Sequence, residues 1–301
     1  MVAKLRAGVV GAGVFGGYHA AKYAERPDTI LAAVLDPHPE RARALADRFG
    51  AASCSDLSGM LDGVDIVSIC APAHTHAALA LACLRAGKPV YVEKPIATSM
   101  ADADAIVAEG RRRGLVVACG FLERAAFSAM KLFDVPETPL RLEAVRRGPP
   151  SPRSLDVSVV IDLMIHDLDL ALALSKAPVL AVEAEGACEV NDLLDAVETE
   201  VVFDDGFTAV LAASRVAQSR ERTMRLVYPS GEIVIDFLTH TFHNTTPFAL
   251  DAAFEQTDRL GASLAAFLAA VRGESPAPLA DASDGARALD LALAVELAVE
   301  G

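Results

Sequence analysis

Basic residues are scarce in this chain. Its 27 lysines and arginines stand against 41 aspartates and glutamates, which gives a net charge of −14. Nucleic acids and anionic membranes are bound through basic surfaces, so this balance argues against both as partners. The sequence also has no low-complexity tract, and 52% of its residues are hydrophobic. It therefore predicts a compact globular protein, and 301 residues are enough for two domains.

Cysteine is sparse and shows no CxxC or CxH spacing. The five cysteines are Cys54, Cys70, Cys83, Cys119 and Cys188. We predict buried thiols in a reducing compartment rather than a disulfide framework. His74 and His76 lie two apart on a turn without a nearby cysteine or acid, which makes a poor metal site. No metal is predicted.

Long apolar runs free of charge are absent as well. No stretch is both long enough and charge-free enough to span a membrane. The chain runs from Met1 straight into a strand-like segment, which leaves no room for a signal peptide. We expect a cytoplasmic protein.

The first 120 residues alternate short apolar runs with longer stretches of helical spacing. The strand candidates are Leu5–Val10, Ile30–Leu35, Val64–Cys70, Val90–Glu93 and Leu115–Cys119. The helix candidates are Phe15–Glu25, Pro39–Phe49, Thr75–Ala86 and Met100–Arg113. Apolar strands that alternate with helices predict a parallel sheet covered on both faces.

Beyond residue 120 the pattern changes to successive strands. The strand candidates are Thr138–Arg147, Val179–Glu189, Glu198–Phe203, Thr208–Val216, Arg222–Tyr228 and Glu232–Leu238, and the helix candidates are Val159–Ser175, Asp251–Arg272 and Ser283–Glu300. Asp204–Gly206 and Pro229–Gly231 are typical hairpin turns. We predict an α/β protein: a Rossmann domain with a doubly wound parallel sheet (1–120), then an α+β domain (121–301) with a large, mostly antiparallel open sheet. The last helix is a candidate to pack back on the first domain.

A glycine loop follows the first strand and opens a helix: Gly11, Gly13, Val14, Phe15 and Gly16 form the core of a GxGxxG pattern. In that context the glycines permit a tight turn, close approach of a pyrophosphate and close helix–strand packing. The amides of the helix N-terminus favour the phosphates.

Asp36 ends the second strand. A carboxylate there accepts hydrogen bonds from both ribose hydroxyls and repels a 2′-phosphate, so NAD is favoured over NADP. Arg41 and Arg43 on the next helix soften that repulsion, which keeps NADP as an alternative. The alternative that Asp36 caps the following helix stays open, because Pro37 and Pro39 fit that interpretation too.

Glu93-Lys94-Pro95 lies at the carboxyl edge of a strand, where open α/β sheets bind ligands. Taken alone, this tripeptide is more typical of a solvated turn after a strand than of a site. Upstream, Pro72 fixes the chain where it would pass the cofactor, and His76 starts the next helix. A lysine ammonium at this edge can stabilise a developing alkoxide.

Asp162, His166 and Asp169 follow helical spacing and are expected on one face, with Asp167 pointing away into solvent. Histidine suits proton removal from a hydroxyl because its pKa lies near neutrality. The alternative is an amphipathic helix with a solvated acidic stripe.

These motifs occur in one order along the chain, and together they resemble the glucose–fructose oxidoreductase / inositol dehydrogenase / MocA family. They are Gly11-x-Gly13-x-x-Gly16-x-x-His19, Asp36, Pro72-x-x-x-His76, Ala86-Gly87-Lys88-Pro89-Val90-x-x-Glu93-Lys94-Pro95, Asp162-x-x-x-His166-x-x-Asp169 and Asp284-Gly285-x-Arg287-Ala288-Leu289. The resemblance covers nearly the whole chain.

The resemblance implies oxidation of a sugar or cyclitol hydroxyl with NAD or NADP. It makes Lys94 the catalytic lysine, His166 the acid/base and Asp162 its assisting carboxylate, with a structural role for Asp169. It adds Pro72, His76, Glu93 and Lys94 to the cofactor site. It also implies a homodimer or homotetramer formed through the open sheet.

Two departures bear on the substrate. Met164-Ile165 precedes the histidine where the family often has glycine, and Glu123-Arg124 follows the last strand of the first domain. Both resemble members that act on UDP-N-acetylglucosamine-type sugars, including 3-dehydrogenases, although Ala125-Ala126-Phe127 departs from their usual Phe-Asn-Pro. The substrate site is assigned to Lys94, Arg124, Asp162 and His166.

We therefore predict an NAD-dependent dehydrogenase that oxidises a ring secondary hydroxyl of a sugar or nucleotide sugar. The alternatives are a cyclitol dehydrogenase and an inactive NAD-binding scaffold. A reductase of imines, enones or tetrapyrroles would lack His166.

Overall fold

The structure is a computed structural model that describes residues 3–151, 157–190, 192–252, 254, 257–274 and 279–300. The chain divides into two compact units. The first comprises Met1–Leu122 and Asp258–Ala286, and the second Glu123–Thr257 and Arg287–Gly301. The domain boundary at residue 120 stays a prediction. The packing of the last helix on the first domain stays a prediction as well.

The first unit contains a six-stranded sheet in the order β3-β2-β1-β4-β5-β6, with all neighbours parallel. This confirms the doubly wound parallel sheet. Its strands are β1 (Leu5–Val10), β2 (Thr29–Leu35), β3 (Ala52–Cys54), β4 (Ile66–Ile69), β5 (Val90–Val92) and β6 (Val117–Cys119). Its helices are α1 (Val14–Glu25), α2 (Pro39–Phe49), α3 (Leu57–Leu61), α4 (His76–Arg85), α5 (Met100–Arg113) and α8 (Arg259–Val271).

Local signals place the ends of α5 where the sequence predicts them. The Ser99 hydroxyl accepts a hydrogen bond from the Asp102 amide at 3.2 Å, which caps the first turn. Gly114 ends the helix in the left-handed conformation at φ 63°, which glycine adopts without steric cost. Because of these caps, both ends of α5 can be predicted from the sequence.

The second unit contains a seven-stranded sheet in the order β13-β12-β11-β7-β10-β9-β8. Strands β7 and β10 pair in parallel, and the other neighbours pair antiparallel, as predicted for a mostly antiparallel sheet. The strands are β7 (Arg141–Arg147), β8 (Val179–Ala187), β9 (Ala196–Phe203), β10 (Thr208–Ser214), β11 (Glu221–Tyr228), β12 (Gly231–Asp236) and β13 (Thr241–Asn244). Both predicted hairpins, β9–β10 and β11–β12, are present.

One face of this sheet is buried and the other is open. Along β10, Ala209, Leu211 and Ala213 are buried, whereas Thr208 and Val210 on the opposite face are partly exposed. This alternation follows from the two-residue period of a strand.

Helical structure beyond residue 120 differs from the prediction. A short helix, α6 (Glu123–Ala129), follows the first unit, and the helix predicted at Val159–Ser175 is a π-helical turn (Val160–Met164) continued by α7 (Ile165–Ser175). The predicted helix Asp251–Arg272 begins only at Arg259, and residues 253, 255 and 256 lie outside the described part of the chain. The last helix, α9, spans Ala282–Glu300.

Candidate active site

The glycine loop lies where the strand order of the parallel sheet reverses, between β1 and β4. Gly11 follows β1 with φ +96°, and a Cβ on it would lie 2.5 Å from the carbonyl oxygen of Cys70, which follows β4. A Cβ on Gly16 would lie 1.8 Å from the carbonyl oxygen of Gly11. Only glycine at these two positions lets the loop cross the end of β4 and return tightly into α1.

The same loop leaves room for a phosphate group. A Cβ built on Gly13 meets nothing within 4 Å, and Gly13 caps α1 without a side-chain hydrogen bond. The amides of the first turn of α1 are therefore positioned for an anion. Val14 and Phe15 on this turn are 51% and 45% exposed, an apolar surface that a flat cofactor would cover. This geometry fits the pyrophosphate of a dinucleotide.

Asp36 is bound to the glycine loop. One carboxylate oxygen accepts from the Ala12 amide at 2.7 Å and the other from the His38 amide at 2.9 Å. His38, the N-cap of α2, has no side-chain cap, so Asp36 does not cap the helix proper. Each carboxylate oxygen keeps a second lone pair, which suits ribose hydroxyls. Arg41 and Arg43 are exposed on α2.

His76 is 1% exposed and joins two loops at the carboxyl edge of the sheet. Its ring nitrogens face the carbonyl oxygens of Pro95 at 2.7 Å and Ala71 at 2.8 Å. The ring therefore holds the segment around Pro72 against the segment that carries Lys94. His76 therefore supports these two segments through its ring contacts.

Lys94 is partly exposed and directly follows Glu93, which is 8% exposed. Glu93 contacts the histidine of the glycine-loop motif: its Oε1 lies 2.8 Å from His19 Nε2. His19 Nδ1 lies 3.0 Å from the Ser68 hydroxyl, which lies 2.8 Å from the Tyr23 hydroxyl. The signals for this cluster are the histidine three residues after Gly16 and the serine within an apolar strand.

In the second unit, Asp162 lies in the π-helical turn and His166 in the first turn of α7, and both are partly exposed. π-Helical turns are rare and occur frequently at functional sites. The turn is held at its start by Ser158, whose carbonyl accepts from the Asp162 amide at 2.9 Å and whose hydroxyl accepts from the Ile161 amide at 3.2 Å.

Asp169 is 1% exposed and carries a bidentate ion pair with Arg124. Nε and Nη2 of Arg124 donate to the two carboxylate oxygens at 2.8 and 2.7 Å. The sequence places Arg124 in the substrate site, whereas these two bonds join α6 to α7, the helix that carries His166. Sequence reasoning missed this partner because Arg124 and Asp169 are 45 residues apart.

The prediction that Asp167 points into solvent is wrong. Asp167 is 3% exposed and accepts two hydrogen bonds from Arg146 of β7, at 3.0 and 2.8 Å. Arg146 also lies 3.6 Å from Glu123, which pairs with Arg222 of β11. The side of α7 that contains Asp167 is predicted from the sequence to be exposed. In the structure it is buried, and Asp167 is paired with Arg146 of a neighbouring strand.

The residues of the predicted site fall into two groups. Gly11–Gly16, Asp36, Pro72, His76 and Glu93-Lys94 belong to the first unit, and Arg124, Asp162 and His166 to the second. Within the described ranges no group of three His, Cys, Asp or Glu side chains could hold a metal ion. The same ranges contain no helix long and apolar enough to cross a membrane. All five cysteines are free thiols: Cys83 and Cys119 are buried, as predicted, whereas Cys54 and Cys70 are partly exposed and Cys188 is exposed.

Comparison with known proteins assigns the family. Residues 5–121 match the model of an oxidoreductase family with an NAD-binding Rossmann fold, and residues 144–242 match the GFO/IDH/MocA C-terminal domain. The chain is 36% identical to UDP-N-acetylglucosamine 3-dehydrogenase of Acidithiobacillus ferrooxidans, over 98% of this chain and 97% of that protein. A solved structure of that enzyme superposes with a TM-score of 0.91 and covers 99% of this chain and 98% of its own.

A second relative is myo-inositol 2-dehydrogenase of Thermotoga maritima, 28% identical over 79% of this chain and 77% of that protein. Both relatives are dehydrogenases. Since 36% identity extends over nearly the whole sequence, this chain belongs to the GFO/IDH/MocA family of NAD-binding oxidoreductases.

Proposed function

We propose that this NAD-dependent dehydrogenase oxidises a ring hydroxyl of a nucleotide sugar, with the 3-hydroxyl of UDP-N-acetylglucosamine as the first candidate. The observation that carries the proposal is the 36% identity over 98% of the chain to a UDP-N-acetylglucosamine 3-dehydrogenase. The Lys94, Asp162 and His166 pattern supports it from the sequence.

His166 accepts the hydroxyl proton as the carbinol carbon becomes a carbonyl. His166 lies partly exposed on the first turn of α7. Asp162, four residues earlier and also partly exposed, supports the charge that His166 gains. NAD, when bound, supplies the acceptor for the hydride that leaves the same carbon.

Lys94 stabilises the alkoxide that develops as the proton departs. Its ammonium group offers three donors and a full positive charge to that oxygen. Glu93 and Pro95 hold Lys94 through His19 and His76. Arg124 acts on the substrate site through Asp169, which anchors the helix that carries His166.

NAD is held by the groups that fit it in the first unit. The first turn of α1 after Gly13 binds the pyrophosphate, and Val14 and Phe15 cover the cofactor. Asp36 binds the adenosine ribose and disfavours a 2′-phosphate, so NAD is preferred to NADP. Pro72 and Glu93 line the cofactor site beyond the glycine loop.

A cyclitol is the second candidate substrate, because the chain is also 28% identical to a myo-inositol 2-dehydrogenase. An inactive NAD-binding scaffold is the alternative that the site residues oppose.

The experiment compares UDP-N-acetylglucosamine, myo-inositol and glucose as reductants of NAD and NADP, followed at the absorbance of the reduced nicotinamide. We expect turnover with UDP-N-acetylglucosamine and NAD, and a loss of about 10²- to 10⁴-fold in kcat for His166→Asn. Preferential turnover of myo-inositol would replace the nucleotide sugar by a cyclitol. No reduction by any substrate, with NAD still bound, would favour the scaffold.

We also propose that the open face of the second sheet joins copies of this chain into a homodimer or homotetramer. Val210 of β10 lies between Glu143 and Glu200 in the strand register, and Arg225 pairs with Glu143 beside them. Apolar residues mixed with both charges give a face that can match itself across a two-fold axis.

Val210→Glu adds a third carboxylate to that row and is expected to reduce the native mass to that of the monomer. Analytical ultracentrifugation measures it. Ile30→Glu, at an exposed strand position of the first unit, is the control and should leave the mass unchanged. A monomeric wild-type protein, or an unchanged mass in the Val210 variant, would contradict the proposed interface. The cytoplasmic location stays a prediction beside it.

A further inference from the structure

A continuous hydrogen-bonded chain of buried side chains connects α1 to the residue before Lys94. It runs from Tyr23 through Ser68 and His19 to Glu93, with contacts of 2.8, 3.0 and 2.8 Å. Tyr23, Ser68 and His19 have no exposed surface, and Glu93 is 8% exposed. Buried polar groups of this kind are costly unless every member is satisfied.

The donors and acceptors of these four side chains fix the direction of every hydrogen bond in the series. A Glu93 carboxylate can only accept, so His19 Nε2 carries a proton and donates to it. In the neutral ring Nδ1 then accepts, and the Ser68 hydroxyl donates to it. The Ser68 oxygen is left to accept from Tyr23, whose phenol stays protonated because burial raises its pKa.

Two packing features bring His19 to Glu93. His19 lies three residues after Gly16 and Tyr23 a further turn on, so both project from the face of α1 that meets the sheet. Gly16 lets α1 approach the loop closely, since a Cβ there would meet the Gly11 carbonyl. On the other side, Gly120 closes against Glu93: a Cβ on Gly120 would lie 2.8 Å from Oε2.

The Ser68–His19–Glu93 order resembles a hydrolytic triad, but burial excludes that chemistry. Ser68 has no exposed surface, and its hydroxyl already bonds both His19 and Tyr23. No substrate carbonyl can reach it. The series of hydrogen bonds ends instead at Glu93, one residue before Lys94.

We propose that His19 is a positioning residue for Lys94: it holds the Glu93 carboxylate and thereby fixes the segment that aims the Lys94 ammonium. Since α1 begins in the phosphate-binding loop, the same contact sets the register between the cofactor loop and Lys94. This inference rests on the proposed role of Lys94 in the reaction.

Two variants of His19 separate its contacts. In His19→Gln the terminal amide reaches the place of Nε2 and keeps the bond to Glu93. In His19→Asn the amide reaches only the place of Nδ1, keeps Ser68 and loses Glu93. We expect kcat close to wild type for the Gln variant and about 10- to 100-fold lower for the Asn variant, with NAD affinity unchanged in both.

Thr29→Val is the matched control for a purely structural effect. It removes another buried hydroxyl in this unit, which donates to the Tyr23 carbonyl at 2.6 Å, and should lower stability without lowering kcat. Equal kcat losses in the Asn and Gln variants, or a loss of NAD affinity at unchanged kcat, would overturn the positioning role. If the Asn variant does not fold, His19→Met replaces it, because methionine also loses the bond to Glu93: a kcat loss absent from Thr29→Val supports the proposal, and equal kcat values refute it.

A spectroscopic measurement makes the test independent of turnover. The chain has six lysines, so ¹³C-methyl NMR of reductively methylated protein resolves a small set of signals, and Lys94→Met identifies that of Lys94. We expect the signal to shift in His19→Asn and to stay in place in His19→Gln. If Lys94→Met keeps wild-type kcat, the proposed function of Lys94 fails; if it is inactive while His19→Asn keeps both kcat and the signal, only the positioning role fails.

Discussion

Replacing Lys94 with methionine is expected to remove nearly all turnover while NAD affinity stays nearly intact. Methionine has a similar length and no positive charge, so the developing alkoxide loses its stabilising donor. Loss of one such donor lowers kcat by about 10²- to 10³-fold. Steady-state kinetics at saturating NAD and calorimetric titration with NAD measure the two quantities separately.

Lys88→Met is the matched control for this variant. The Lys88 ammonium donates to the Val64 carbonyl at 2.8 Å in the same unit. Lys88→Met removes this hydrogen bond, so it should lower the free energy of unfolding and leave kcat unchanged. Loss of NAD binding in Lys94→Met would contradict the proposed role, because it would make Lys94 a structural or cofactor-holding residue only.

Arg124→Met is expected to destabilise the second unit by about 3–5 kcal/mol, because it leaves the Asp169 carboxylate buried without its bidentate partner. Asp169 is 1% exposed, so water cannot replace the guanidinium. Urea unfolding followed by circular dichroism measures the change in the free energy of unfolding.

The double variant Arg124→Met/Asp169→Leu distinguishes the ion pair from lost packing. With both charges removed, most of the stability should return, since a buried pair replaced by apolar residues is often neutral. Arg112→Met, which breaks an exposed pair with Glu109, should leave the unfolding midpoint in place. A normal unfolding midpoint for Arg124→Met with a raised KM would instead assign Arg124 to direct substrate contact.

The elements with strong local signals could be predicted closely from the sequence. β1, α2 and α5 have the predicted bounds, because apolar periodicity is flanked by glycine stops, and α5 also has a serine cap. β3 and β13 were missed, since strands of three and four residues carry too little periodicity to stand out. α6 was missed because its 7 residues make only about two turns, with most of them buried.

The candidate site divides in the same way. Motifs that depend on neighbouring residues, such as the glycine loop and Glu93-Lys94-Pro95, could be read directly. Partners distant in sequence could not: nothing local joins His19 to Glu93, 74 residues apart, or Arg146 to Asp167. The helical face containing Asp167 reads as solvated because periodicity describes a helix alone, without the strand that covers it.

By itself, the sequence determined the fold class, the order of the two architectures, the dinucleotide loop and the lysine and histidine types on which the proposed chemistry depends. Each of these follows from spacing within a few residues, where backbone geometry and side-chain periodicity act. The tertiary structure alone decided which charges are buried and what holds them. It paired Arg124 with Asp169, turned Asp167 inward and linked Lys94 to α1 through Glu93 and His19. The reason is physical: the cost of burying a charge depends on partners that only folding brings within hydrogen-bond distance.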